Sequence, residues 1–116
     1  MILAKPKLNK GRNCMHDDMI SMHYKGWMKD GIDGEKLVFD TRATSGKPTI
    51  FNNGQHIAPK CWEIASLFMH NNDRMQIWCP SYLANGGNQV YSTVDEHFLI
   101  PEDTPLRFEL ELITCE

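Results

Sequence analysis

The sequence predicts an α+β domain: a mainly antiparallel sheet of five or six short strands with one helix packed on its face. Three observations carry that expectation. Apolar and polar residues alternate in several short runs, the period of half-buried strands. A single stretch carries apolar residues at helical spacing. And 116 residues, 41% hydrophobic and 23% charged, describe one ordinary globular domain rather than a disordered, collagen-like or coiled-coil chain.

The elements follow in chain order. Residues 1–16 read as an extension or edge strand. Met19 to Lys25 is a strand with Ile20, Met22 and Tyr24 on one face. Lys29-Asp30-Gly31 and Asp33-Gly34 are turn chemistry, after which Leu37-Val38-Phe39 resumes as a strand. Gly46-Lys47-Pro48 turns into Thr49-Ile50-Phe51, and Asn52-Asn53-Gly54 stops it. Pro59 suits a first helical turn, where its missing N–H is not needed. Trp62, Ala65, Leu67 and Met69 then supply the helical spacing, ended by Asn71-Asn72-Asp73. Arg74 to Cys79 alternates again, with Met75, Ile77 and Cys79 on one face. Residues 81–99 have no regular period around Asn85-Gly86-Gly87-Asn88 and read as a long pocket-side loop, functional or for recognition. Leu106 to Leu112 alternates without a break, entered past Pro101 and Pro105, which cannot donate to a central ladder.

Charge and cysteine usage bound the function. With 12 Lys+Arg against 15 Asp+Glu the formal charge is −3, which disfavours nucleic-acid binding. No apolar stretch approaches the ~20 residues of a membrane span, so no membrane insertion is expected. The four cysteines, Cys14, Cys61, Cys79 and Cys115, include no C-x-x-C pair. Two disulfides are formally possible, but reduced, half-buried thiols in an intracellular protein are the expectation. Met1 to Ala4 is too short for a secretory apolar region. The expected setting is therefore cytoplasmic, with mitochondrion or another organelle as the alternative, and not secreted.

Ordinary catalysis is poorly supported. There is no nucleophile elbow, P-loop, dinucleotide fingerprint, zinc-protease motif or EF-hand loop. The five histidines are scattered without ligand spacing, so no cofactor and no metal are expected. Cys61 beside Trp62 is a poor nucleophile without a base. The aromatics say more. Tyr24, Phe39, Phe51, Trp62 and Phe108 fall on inward strand positions or at the helix start. Each alone reads as core; together they can line an apolar pocket.

Several segments resemble one family in order. His23-Tyr24-Lys25-Gly26-Trp27-Met28-Lys29-Asp30-Gly31 is similar to the HYTGxLxDG segment of FKBP-type peptidyl-prolyl isomerases. Phe39-Asp40-Thr41-Arg42 resembles their FDSS with its basic residue. Lys47-Pro48, Gly54 and Trp62-Glu63 follow the family's spacing, as do Arg74, Pro80 with Tyr82, Ile100-Pro101 and the terminal strand. The resemblance implies a twisted antiparallel sheet wrapped around one short helix. It implies a proline-binding cleft with Trp62 as floor and Tyr24, Phe39, Phe51 and Phe108 as walls. Ile100 would close the loop side and Asp40 would be the polar rim. Proline-containing peptides or protein clients would be the partners.

Departures cluster on that implied pocket. Thr49 stands where the family has an aromatic wall residue. The V-I-x-G run, whose isoleucine N–H bonds the substrate carbonyl, reads Ala58-Pro59-Lys60-Cys61 here, and Pro59 has no N–H. The family's rim tyrosine, just after Tyr82, is replaced by Ala84. The turn from Gly31 to Phe39 is longer than in the shortest family members. Two readings follow: a divergent isomerase with weakened turnover, or an impaired module that binds or assembles with other proteins. Trp78, on the outward face of its strand, is the expected anchor for such a partner.

Overall fold

A computed structural model describes the backbone of residues 2–4 and residues 13–55, 58–84 and 89–116. Its strands are β1 (Ile2–Ala4), β2 (Met19–Asp30), β3 (Gly34–Asp40), β4 (Thr49–Asn52), β5 (Arg74–Cys79), β6 (Val90–Tyr91), β7 (Leu99–Ile100) and β8 (Leu106–Cys115). Its helices are α1 (Thr41–Thr44) and α2 (Lys60–Ser66), with a 3-10 turn at Ser81–Leu83. Residues 85–88 at the centre of the expected 81–99 loop, and residues 5–12 of the expected N-terminal extension, lie outside the described residues.

β2 organises the sheet. One of its edges runs along β8 from Ile20 opposite Cys115 to Trp27 opposite Arg107. The other pairs first with β4 and then with β3. The full order is β1-β5-β8-β2-β3, with β4 also on β2, and every pair is antiparallel. The α+β fold with its antiparallel sheet is thus as expected. In this sheet only β2 and β3 are chain neighbours. Long connections carry the rest, which local alternation does not reveal.

The core follows from the alternation. Leu106, Phe108, Leu110 and Leu112 of β8 and Met75, Ile77 and Cys79 of β5 are buried, beside Ile20 and Met22 of β2. Each fully buried aliphatic side chain contributes about 1.5–3 kcal/mol relative to exposure. α2 presses Cys61, Trp62 and Ala65 onto this face. Pro59 is its N-cap and contributes no side-chain bond. The helix stops at Ser66, earlier than the apolar spacing suggests. Phe68 N–H donates to Ala65 O at 3.0 Å and Met69 N–H to Ser66 O at 3.0 Å, so the last turn tightens to i→i+3 bonding.

Three further expectations are corrected. The cysteines are not free: Cys14 pairs with Cys115 and Cys61 with Cys79. Spacing of 101 and 18 residues gives no pairing signal; the topology brings the partners within bridging range. Residues 81–99 are not all loop. β6 and β7 form a two-stranded ribbon, Val90 opposite Ile100, tied to β3 by Ser92 Oγ–H donating to Val38 O at 2.7 Å. Strands of two residues are too short to show a period. Finally α1 exists, because Asp40 Oδ1 accepts from the N–H groups of Arg42 and Ala43 at 3.1 and 3.2 Å.

Candidate active site: an aromatic cleft

Tyr24 and Gly26 of β2, Phe39 of β3, Phe108 of β8 and Trp62 of α2 meet where helix and sheet face each other. The Tyr24 and Trp62 rings lie 4.3 Å apart, tilted by 50°. Phe108 meets the indole edge to face at 5.3 Å. Phe39 stacks along Phe108 at 6.4 Å. Offset and edge-to-face rings of this kind gain about 0.5–1.5 kcal/mol beyond their buried area, so the wall holds its shape. The rings enclose a cleft of about 200 Å³ lined by Tyr24, Phe39, Pro59, Trp62, Val90 and Phe108.

Gly26 permits the approach of the walls. A Cβ there would stand 2.8 Å from Phe108 Cε1 and 3.0 Å from Phe39 Cδ2. The floor is nearly dry: Trp62 is 5% exposed, and its Nε1 has no acceptor among the described residues. The Tyr24 hydroxyl is bonded to Thr49, and burial, partly offset by that bond, raises its pKa above the usual tyrosine value. It remains a neutral phenol at physiological pH. Thr49, at the position where the family resemblance has an aromatic wall residue, does not line the cleft and gives the tyrosine a hydrogen-bond partner instead.

The structure brings together only part of the expected set. Tyr24, Phe39, Trp62, Phe108 and Pro59 line the cleft. Phe51 is buried and packs behind the indole at 6.2 Å, supporting it rather than lining the cleft. Ile100 is fully buried; its ribbon partner Val90 faces the cleft in its place. Asp40 does not stand at this rim. Its carboxylate caps α1, and it borders a polar depression with His23, Arg42 and Glu111 that shares Tyr24 with the cleft. Ala58 and Ala84 pack against the core without reaching the lining. Tyr82, on the 3-10 turn, is 77% exposed and does not line the cleft. Trp78 lies on the opposite, outward face of the sheet. Val90 escaped the sequence reading; its only signal is an apolar dipeptide inside a polar stretch.

A short helix set across an antiparallel sheet, with an aromatic cleft between them, is the architecture these residues build. Comparison assigns its family. The sequence pattern of the FKBP-type peptidyl-prolyl cis-trans isomerases matches residues 10–113, and the chain belongs to that family. It is 35% identical over 100 residues to a macrophage infectivity potentiator of Trypanosoma cruzi, covering 86% of this chain and 44% of that protein. It is 30% identical over 116 residues to FK506-binding protein 3 of Kluyveromyces lactis, all of this chain and 25% of that one. The chain therefore spans less than half the length of these two curated relatives. Its fold matches the structure of the three FKBP domains of wheat FKBP73, with a TM-score of 0.76 at 15% identity, over 99% of this chain and 44% of that one. The N-terminal domain of FKBP42 from Arabidopsis thaliana gives 0.76 at 19% identity, over 99% and 83%.

Proposed function

We propose that the cleft receives the ring of a proline in an extended client segment and eases rotation about the preceding peptide bond, with weakened turnover. The observation that carries this is the closed set of rings around Trp62, a dry apolar slot with an opening. The X–Pro bond resists rotation by about 18–20 kcal/mol because the planar amide is resonance-stabilised. The twisted amide is less charge-separated than the planar one, so an apolar slot favours it over the ground state. That difference in binding is catalysis, and it asks for no nucleophile. Tyr24 and Phe39 flank the ring, and the indole supports its face.

Pro59 supports the weakened turnover. It sits in the lining yet has no N–H to offer the client carbonyl, a loss of about 1 kcal/mol. Asp40 caps α1 and is not among the residues that line the cleft. These same two facts favour a second reading, a proline-binding or assembly module with no turnover. The two disulfides support work in an oxidising compartment, in place of the reducing cytoplasm expected from sequence.

A protease-coupled or NMR exchange assay on an X-Pro peptide tests the proposal. Acceleration that Trp62→Ala abolishes supports the isomerase. Peptide binding at the Trp62 indole without acceleration supports the module, and neither binding nor acceleration sinks both.

A further inference from the structure

We propose that the β6–β7 ribbon sets the width of the cleft through Val90, and that Ser92 is the positioning residue that holds this wall in place. The proposal rests on the reading of the cleft as a proline site and adds which ring size the site selects.

The ribbon has two faces. Residues directly opposite in a ladder share a face, and Val90 stands opposite Ile100 as Tyr91 does opposite Leu99. The first pair turns inward: Ile100 is fully buried, and Val90 lines the cleft beside Tyr24, Phe39 and Trp62. The second turns outward, with Tyr91 and Leu99 both exposed. Val90 is the one lining residue without a ring. The other five stand on the six-stranded sheet or at the start of α2, so Val90 alone reaches the cleft from a separate element.

Two strands of two residues do not hold a position by themselves. Ser92 supplies the anchor. It is 2% exposed, and its hydroxyl donates to Val38 O at 2.7 Å while accepting from the N–H groups of Val94 and Asp95 at 3.1 and 3.0 Å. Its own N–H donates to Phe98 O at 2.9 Å, closing the ribbon, and Thr93 N–H donates to Val38 O at 3.0 Å. Val38 directly precedes Phe39, so one hydroxyl fixes the Val90 wall against the strand that carries another wall. Lys36 of the same strand adds a looser tie, 3.9 Å from the Asp95 carboxylate and 4.5 Å over the Phe98 ring. Without the Ser92 hydroxyl, the N–H groups of Val94 and Asp95 lose their acceptor while Val38 O keeps Thr93. The damage is confined to the ribbon, since the pairing of β3 with β2 does not involve it.

The test uses an X-Pro peptide and the same peptide with the six-membered homologue of proline in its place. Val90 methyl signals in a carbon-13 spectrum report position directly, because the surrounding aromatic rings displace them. Proline peptide should move these signals and the Trp62 indole signal together. In Val90→Ala the affinity for the larger ring relative to proline should rise about threefold or more. In Ser92→Ala the Val90 methyl signals of the free protein should shift, and proline-peptide affinity should fall about fivefold. Where turnover is measurable, that loss should appear in KM with kcat within about twofold, because a wall meets the ring equally before and during rotation. Proline binding retained with an unchanged ring-size ratio in Val90→Ala would overturn the wall. Unmoved Val90 methyl signals in Ser92→Ala would overturn the positioning role. In both cases the proline reading would stand; absence of proline binding by the unaltered protein would remove that reading and this one with it.

Discussion

At the scale of single residues, the cleft depends on two positions that carry little side chain or none of the expected donor. Gly26 is the first. Its absent Cβ leaves room for Phe108 and Phe39, and both are ring walls that cannot swing aside without opening the cleft. Gly26→Ala is expected to destabilise the fold by about 1–3 kcal/mol and to weaken proline binding, measured by urea midpoint and peptide titration. Pro59 is the second. Its backbone, φ −53° and ψ 139°, is open to any residue. Pro59→Ile restores an N–H at the lining and should raise kcat/KM about fivefold; no gain would show that this donor is immaterial here. The walls themselves were legible because Tyr24, Phe39 and Phe108 fall on inward strand positions. Asp40 and Tyr82 were not. A carboxylate that caps a helix and one at a rim have the same neighbours in sequence.

Among elements, α2 is the one most in need of support. Seven residues make a helix that is marginal in isolation. Burial of Trp62 and Ala65 holds it down, and Cys61–Cys79 ties its first turn to the end of β5. Replacing both Cys61 and Cys79 by alanine is expected to cost about 2–3 kcal/mol. Amide exchange in α2 should quicken more than in β8, because the helix loses its tether while the ladder is untouched. The helix was legible from its apolar spacing, but its tether was not, since pairing follows from strand order. A second tie joins α1, β5 and β8. Arg42 Nη2 donates to Glu111 at 2.8 Å, and Arg74 approaches the same carboxylate at 3.6 Å. Burial pushes the Glu111 pKa up, but the Arg42 hydrogen bond and the charges of Arg74, Arg42 and His23 outweigh it and leave it below the usual glutamate value. With the folded pKa depressed, the contribution is present above the ordinary value of about 4.3 and is lost as pH falls through the folded one. Glu111→Gln should therefore lower the urea midpoint at pH 6 and lower it less at an acid pH below the ordinary glutamate value. An equal loss at both would assign the effect to packing.

Over the whole molecule, strand identity was legible and strand order was not. Alternation in β5 and β8 marks which residues face inward, yet nothing in it says that these strands lie side by side through a connection of 26 residues, 80–105. The same ordering brings the segment leading into β2 together with the end of β8. Met19 N–H donates to Glu116 O at 2.7 Å, and Glu116 N–H returns to Met19 O at 3.1 Å. Cys14 N–H reaches Met69 O at 2.9 Å, and Cys115 N–H donates to Asn71 Oδ1 at 2.9 Å. The Cys14–Cys115 bridge locks this junction across a separation of 101 residues. A loop of that length removes about 4–5 kcal/mol of disorder from the unfolded chain in the chain-entropy account. The effect acts on the unfolded state, so the cleft geometry should survive its loss. Cys14→Ala with Cys115→Ala is expected to lower Tm by roughly 10 °C or more while peptide affinity at room temperature stays within about twofold. Calorimetry of this double variant, with peptide titration beside it, checks both halves. A fall in affinity as large as the fall in stability would mean that the bridge shapes the cleft itself, across the span between the junction and Trp62.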